Sequence, residues 1–291
     1  MSQLGEIERD IAAKSLKVGV PEPVQGLAGE YAGNPRPGFL PGIEYLASRY
    51  SALRRVRGDG NCFYRCFLFG YLEQLIRQRD TAVEDAERER KRALQAARQS
   101  KDDLVSVGYD EMAIETFWEV LVEALETLPS TDLATLEKQF QEENGDAEYM
   151  VWYCRAIAAG YMKRNPDTFL PFILALDDAA GTAVVDINEY CRREVEPMGR
   201  ECEAVQIMAL CEAMQIGVAI EYLDGALLDQ GRLSCPTFPD GAAPQLTLLY
   251  RPGHYDILYP ASSASPAATV VGGSGTSDEA AAAAAAPPAS K

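Results

Sequence analysis

The hydrophobic pattern of this chain changes character once. Up to Met214 the apolar residues recur mostly three and four positions apart, as on one face of a helix; from Ile216 short apolar runs between turn residues read as strands. Leu4, Ile7 and Ile11 predict a helix within the first 20 residues, followed by the Pro- and Gly-rich stretch PEPVQGLAGEYAGNPRPGFLPG, an irregular linker or arm over 21–42. Helical spacing returns at Ile43, with Leu46, Tyr50 and Leu53 on the same face, and a further helix follows RGDGNC. Thr81–Leu104 is charged and free of Pro and Gly, so it reads as a solvated helix, with docking of a partner helix as the alternative. More helices are predicted at Asp110–Leu128, Asp132–Phe140 and Ala147–Arg164, and in INEYCRREV and EAVQIMALCEAM. Strands are expected at Ile216–Leu223, Pro244–Tyr250 and His254–Tyr259, with RPG turning between the last two. Helices first and strands late predict an α+β fold, a small, mostly antiparallel sheet packed against a large helical portion. From Ala261 the sequence is of low complexity and lacks core-forming aromatics; residues 261–291 are expected to be a disordered tail.

Composition narrows the partners. The chain has 291 residues, 47% apolar and 24% charged, enough for one large domain or two small ones. Its formal net charge is −17, from 27 basic and 44 acidic residues. Binding to phosphate depends on basic side chains that replace condensed counterions, so nucleic acid is not an expected ligand, whereas a partner with a basic face is. No apolar run approaches the roughly 18 residues of a membrane span, and the opening MSQLGEIERDIAAKSLKVG lacks the apolar core of a signal peptide. Seven cysteines without a C-x-x-C pair suggest neither a disulfide framework nor a zinc site. A cytoplasmic or nuclear protein with reduced thiols is expected.

Candidate chemistry starts at RGDGNCFYRCF, Arg57–Phe67. Gly58 and Gly60 allow backbone angles closed to other residues, Asp59 or Asn61 can cap the helix that follows, and Cys62 falls in its first turn. There the unpaired N–H groups and the helix dipole favour a thiolate, and the backbone amides of Gly60, Asn61 and Cys62 can form an oxyanion hole. The competing reading of Cys62 is a small packing residue; for Cys66, Cys154, Cys191, Cys202, Cys211 and Cys235 that reading is preferred. A thiolate needs a base, and the chain has a single histidine, His254, placed after Pro-Gly at the start of a predicted strand. Residues two apart in a strand share a face, so Asp256 can accept from the imidazole while Tyr255 points into the core. The competing reading is a histidine that merely sits beside a turn. No G-x-S-x-G, phosphate-loop or H-E-x-x-H motif is present, and no metal or cofactor is expected.

DGNCFYR followed much later by YRPGHYDILY resembles the otubain branch of the OTU cysteine proteases, which remove ubiquitin. SRYSALRRVRGDGNCFYRCF, KDDLVSVGYDE, EVEPMGRECEAVQIMALCEAM and EYLDG resemble otubain sequence as well and occur in the family's order, so the likeness spans about Pro41 to Pro260. The resemblance implies a papain-like catalytic domain over 41–260, preceded by an arm over 1–40. It implies hydrolysis of the isopeptide bond after ubiquitin's C-terminal glycine, through a thioester on Cys62. His254 would be general base and then acid, Asp256 the orienting carboxylate, and Asp59 a shaper of the loop and oxyanion hole. Expected partners are ubiquitin and polyubiquitin, above all the lysine-linked chains that mark proteins for the proteasome, and further a ubiquitin-conjugating enzyme. A non-catalytic binding module for ubiquitin or that enzyme is the alternative, and a hydrolase for another ubiquitin-like protein a third. The chain departs from the family at Glu203-Ala204, where Asp-His is common, and has longer stretches near Ala82–Arg92 and before Cys191. Linkage preference is therefore the least transferable property.

Overall fold

A computed structural model describes residues 15–180 and 186–261. The predicted helix at Leu4–Ile11 and nearly all of the predicted tail lie outside them. Six strands form one sheet: β1 Val18–Glu22, β2 Tyr50–Val56, β3 Val218–Tyr222, β4 Thr237–Phe238, β5 Leu246–Arg251 and β6 His254–Pro260. Their order is β1-β2-β6-β5-β3-β4, antiparallel at every step except the parallel β3–β5 pair. The helices are α1 Leu27–Glu30, α2 Phe39–Arg49, α3 Cys62–Arg79, α4 Val83–Ser106, α5 Glu111–Thr127, α6 Leu133–Gln139, α7 Asp146–Arg164, α8 Pro166–Ala180, α9 Ile187–Tyr190 and α10 Ala204–Met214. The α+β class and the mostly antiparallel sheet are as the sequence predicts.

Alternation along the strands sorts the core into two layers. Leu248 and Ile257 face a large core shared with α3, α7 and α10, whereas their neighbours Leu249 and Leu258 face a smaller one with Val24, Leu27, Phe39, Ile43 and Leu46. A sheet apolar on both faces needs cover on both, and this corrects the reading of 21–42 as an irregular linker. The arm supplies the edge strand β1, a short 3-10 turn at Val24–Gly26 and α1, and together with α2 it forms the second layer. The helix expected through residue 20 gives way to β1 at Val18 for the same reason.

Two more boundaries move. Ile43, Leu46, Tyr50 and Leu53 do share one core, but Tyr50 and Leu53 reach it from β2, because pairing with β1 and β6 overrides the helical spacing. The charged helix α4 is solvated on one side only. Ala86, Ala93, Leu94, Ala97, Ser100 and Leu104 are buried, while Arg90 and Arg92 donate to the Leu125 and Met214 carbonyls at 3.0 and 2.8 Å. The side expected to be free for a partner helix is thus filled by the chain's own α3, α5, α7 and α10. No described helix is long and apolar enough to cross a membrane.

Candidate active site

Cys62 opens α3, the helix that lies across the centre of the sheet, so its backbone sits where N–H groups lack intrahelical acceptors. The helix is buried along nearly its whole length, from Phe63 to Ile76, which fixes the direction in which its N-terminus points. Cys62 itself is buried at 4% exposure. Cys66, one turn on, is fully buried with its thiol on the Tyr255 carbonyl at 3.4 Å, a packing residue as expected. Cys235, in the loop before the two-residue edge strand β4, is exposed as a residue, yet burial and the neighbouring Glu221 push its thiol up to about 12, so it packs only in part.

The loop before Cys62 is held by two buried arginines. Arg65 grips Asp59 through both carboxylate oxygens, at 2.9 and 2.7 Å, and Asp59 Oδ1 accepts the Asn61 N–H at 3.0 Å. Burial opposes the charge of Asp59, but Arg65 and the Asn61 amide more than offset it, and its pKa lies below the ordinary carboxylate value. Arg155 is fully buried and donates to Asn61 Oδ1 at 3.1 and 2.8 Å, to the Gly60 carbonyl at 2.7 Å and to the Arg200 carbonyl at 2.6 Å. Asn61 Oδ1 also accepts the Gly199 N–H at 2.9 Å. The Asn61 side chain therefore crosses to the 195–200 segment and does not cap α3.

The amides expected to form an oxyanion hole are thereby reduced. That of Asn61 is spent on Asp59, which leaves those of Gly60 and Cys62. Gly60 has φ +77°, and a Cβ there would stand 2.2 Å from the Gly199 carbonyl oxygen, so both conformation and packing demand glycine.

Arg251-Pro252-Gly253-His254 closes the β5–β6 hairpin, with Gly253 at φ +73° and Arg251 paired to His254. Strand alternation then places His254 and Asp256 on one face and turns Tyr255 into the core, edge-to-face with Phe63 at 5.5 Å. His254 Nε2 lies 2.8 Å from Asp256 Oδ1, and the other nitrogen, Nδ1, faces the nucleophile loop: a Cβ on Gly58 would stand 3.3 Å from it. Burial would lower the pKa of His254. Hydrogen bonds to Asp256 and Cys62, with the charges of both, outweigh that and raise it to about 9.

Asp256 is completely buried and fully used. Oδ1 accepts from His254 and from the Val56 amide at 3.0 Å; Oδ2 accepts two N–H groups of Arg251 at 3.1 and 2.7 Å. Burial works against its charge, yet these donors keep its pKa below the ordinary value. Thiol, imidazole and carboxylate are thus linked in one row, with Asp59 beside it as a brace of the loop.

Sequence reasoning missed Arg65, Arg155 and Arg251. For the first two a signal was present: an arginine inside an apolar helical run, FYRCF or YCRAI, must find a buried acceptor. For Arg251 the signal was the two-residue turn itself, which sets it directly across from His254. Among the described residues no group of three or more His, Cys, Asp and Glu is placed to hold a metal ion.

A family model described as Peptidase C65 Otubain matches residues 10–260. Human ubiquitin thioesterase OTUB1 is 35% identical over 260 residues, covering 89% of this chain and 89% of that protein. The OVARIAN TUMOR DOMAIN-containing deubiquitinating enzyme 1 of Arabidopsis thaliana is 34% identical over 272 residues, 88% of this chain and 85% of that one. Among solved structures, an h/ceOTUB1 chain in complex with ubiquitin aldehyde and UBCH5B~Ub superposes with a TM-score of 0.76 at 29% identity, covering 89% of this chain and 95% of that chain. A ceOTUB1 chain with ubiquitin aldehyde and UBC13~Ub gives 0.76 at 28% identity, covering 89% and 99%.

Proposed function

The chain belongs to the otubain family of cysteine-type deubiquitinases, and from that premise we propose that it cleaves polyubiquitin with Cys62 as nucleophile, His254 as base and acid, and Asp256 as the orienting carboxylate. The row Cys62–His254–Asp256 carries the reading. The Cys62 thiolate attacks the carbonyl carbon of ubiquitin's C-terminal glycine, and the oxyanion that forms is received by the Gly60 and Cys62 amides. The tetrahedral intermediate collapses as the isopeptide C–N bond breaks, and His254 passes its proton to the leaving lysine amine. Water then attacks the thioester, giving one proton to His254; collapse restores the thiolate and releases the carboxylic acid, whose remaining proton passes to solvent to leave the carboxylate. Asp256, buried and charged, keeps Nε2 engaged so that Nδ1 stays turned to Cys62. Asp59 shapes the loop through Arg65 and the Asn61 amide.

As substrate we assign lysine-linked chains that signal proteasomal degradation, with non-degradative lysine-linked and linear chains as the competing targets. The relatives solved with ubiquitin aldehyde and with a ubiquitin-charged UBCH5B or UBC13 support two partner classes, ubiquitin itself and a charged ubiquitin-conjugating enzyme. They also favour a second reading, in which capture of that charged enzyme is the biological role and hydrolysis is incidental. All seven cysteines stand unpaired, which supports a reducing compartment, cytoplasm or nucleus.

The test is incubation with ubiquitin bearing a thiol-reactive electrophile at its C-terminus, read by intact mass, followed by a di-ubiquitin linkage panel. One adduct on the wild type and none on Cys62→Ala is the expected result. Binding without an adduct would shift the assignment to the capture reading, and an adduct that survives Cys62→Ala would overturn the nucleophile.

A further inference from the structure

Asp256 shares one negative charge between two cations. Arg251 takes Oδ2 with two N–H groups, while His254 leans on Oδ1. A guanidinium alone beside this buried carboxylate would neutralise it and leave an imidazolium without a counter-charge. Arg251, however, has a second acid: its Nη1 donates to Glu30 Oε2 at 3.2 Å. Glu30 is the last residue of α1, in the N-terminal arm, 221 positions away in sequence. Its other oxygen pairs with Arg55 on β2, and Arg55 in turn holds Glu22 of β1 at 2.6 Å. Tyr31, next to Glu30, also interacts with Arg251, and its ring stacks on Phe39 at 4.2 Å.

We propose that Glu30 is a positioning residue of the active site: it anchors Arg251 on Asp256 and balances the arginine's charge, so that the carboxylate keeps its hold on His254. The inference rests on the reading of Cys62, His254 and Asp256 as the catalytic row. Charges then alternate along a continuous path, thiolate, imidazolium, Asp256, Arg251, Glu30, and α1 of the arm forms its outer end; Arg55 and Glu22 lie beyond it and only hold the arm to the sheet. The other charged groups on His254 are few. Cys62 faces it from α3 and Asp256 from its own strand, and the Glu201 carboxylate lies beside Gly253, 3.5 Å from where a Cβ would stand.

The full chain allows an unusually direct test, because its single histidine gives one set of imidazole resonances to titrate by NMR. Glu30→Gln keeps the shape and removes the charge. Its His254 titration is expected to move to lower pH by about half a unit or more, since a nearby anion is lost. With a fluorogenic ubiquitin C-terminal amide, kcat at neutral pH is expected to fall about three- to tenfold, with KM within about twofold of wild type. Glu30→Asp should recover at least about half of the lost kcat, since the charge returns. Glu22→Gln, which loosens the arm without touching Arg251, should leave the titration in place. A Glu30→Gln variant with wild-type titration and kcat overturns the proposal, as does a raised KM at unchanged kcat, or an equal shift in Glu22→Gln. Failure of the underlying reading shows separately, as activity retained by His254→Ala in the same assay.

Discussion

Two carboxylates are buried at the joint of α3, β2 and β6, and only one of them is paired with a histidine. Asp256 sits toward the N-terminal end of α3; Glu73 sits three turns down the same helix, at 2% side-chain exposure. Both are met by arginine from one side and by a ring group from β6, His254 for Asp256 and Tyr259 for Glu73. Glu73 Oε1 accepts from Arg54 at 3.1 Å and from Arg77 at 2.8 Å, and Arg54 is itself sealed by the Gly19 carbonyl, Glu137 and the face of Phe69. Its ring group, Tyr259, is pushed further above its already high ordinary pKa by burial and by Glu73, and no nucleophile adjoins the cluster. Around Asp256 the ring group titrates, its side chain is 19% exposed, and its second nitrogen meets a thiol at a helix N-terminus. A buried, well-paired charge is thus as much a mark of architecture as of catalysis; the distinction lies in a titrating neighbour with a route to solvent.

Breaking the two clusters should separate rate from stability. His254→Ala is expected to lower ubiquitin hydrolysis by about two to four orders of magnitude, because the described site offers no other base. Thermal unfolding of that variant should approach wild type only near pH 9 and above, where the pairing has faded, and unchanged turnover would sink the assignment. Glu73→Ala is expected to do the reverse. It strands Arg54 in the core and should destabilise the fold by about 3–5 kcal/mol, measured by denaturant unfolding, with kcat per folded molecule intact. Asp256→Asn belongs to both sides: its rate loss should be smaller than that of His254→Ala, since its role is orientation, and a larger loss would mean the roles are exchanged.

The pH dependence sharpens the contrast. His254 has its folded pKa raised to about 9 from an ordinary 6.5, so its pairing stabilises the fold fully below pH 6.5 and less and less as pH climbs through 9. Comparing wild type with His254→Ala by thermal unfolding across that window should show the extra stability fading only in the wild type. The Glu73 cluster holds no histidine, and Glu73→Ala should leave the slope between pH 6.5 and 9 unchanged. The smallest effect is expected at its rim: Arg77 is 53% exposed, and Arg77→Ala should change stability by no more than about 1 kcal/mol.

Much of the site was legible because its parts are local. Cys62 follows two glycines and opens a helix; His254 and Asp256 are two apart on a strand after Pro-Gly; such spacings dictate side-chain direction with no knowledge of the rest of the chain. Where the reading failed, a distant partner or a competing neighbour had decided. Asn61 can cap a helix, but Arg155, 94 positions on, draws its side chain away. The Asn61 amide could serve an oxyanion, but Asp59, fixed by Arg65, takes it. The arm looked irregular because its residues follow no period, and it became ordered by covering a sheet face that needed apolar cover.

The chain by itself therefore determined most helices from Cys62 onward and the late strands, the α+β class, the place of Cys62 at a helix start and the shared face of histidine and aspartate, since these follow from spacings of two, three and four residues. Only the tertiary structure decided that the Val56 amide would reach Asp256, that Arg155 would claim the Asn61 side chain and that Glu30 reaches Arg251. Those choices are made by groups far apart in sequence, each forced to find a partner when the core excludes water.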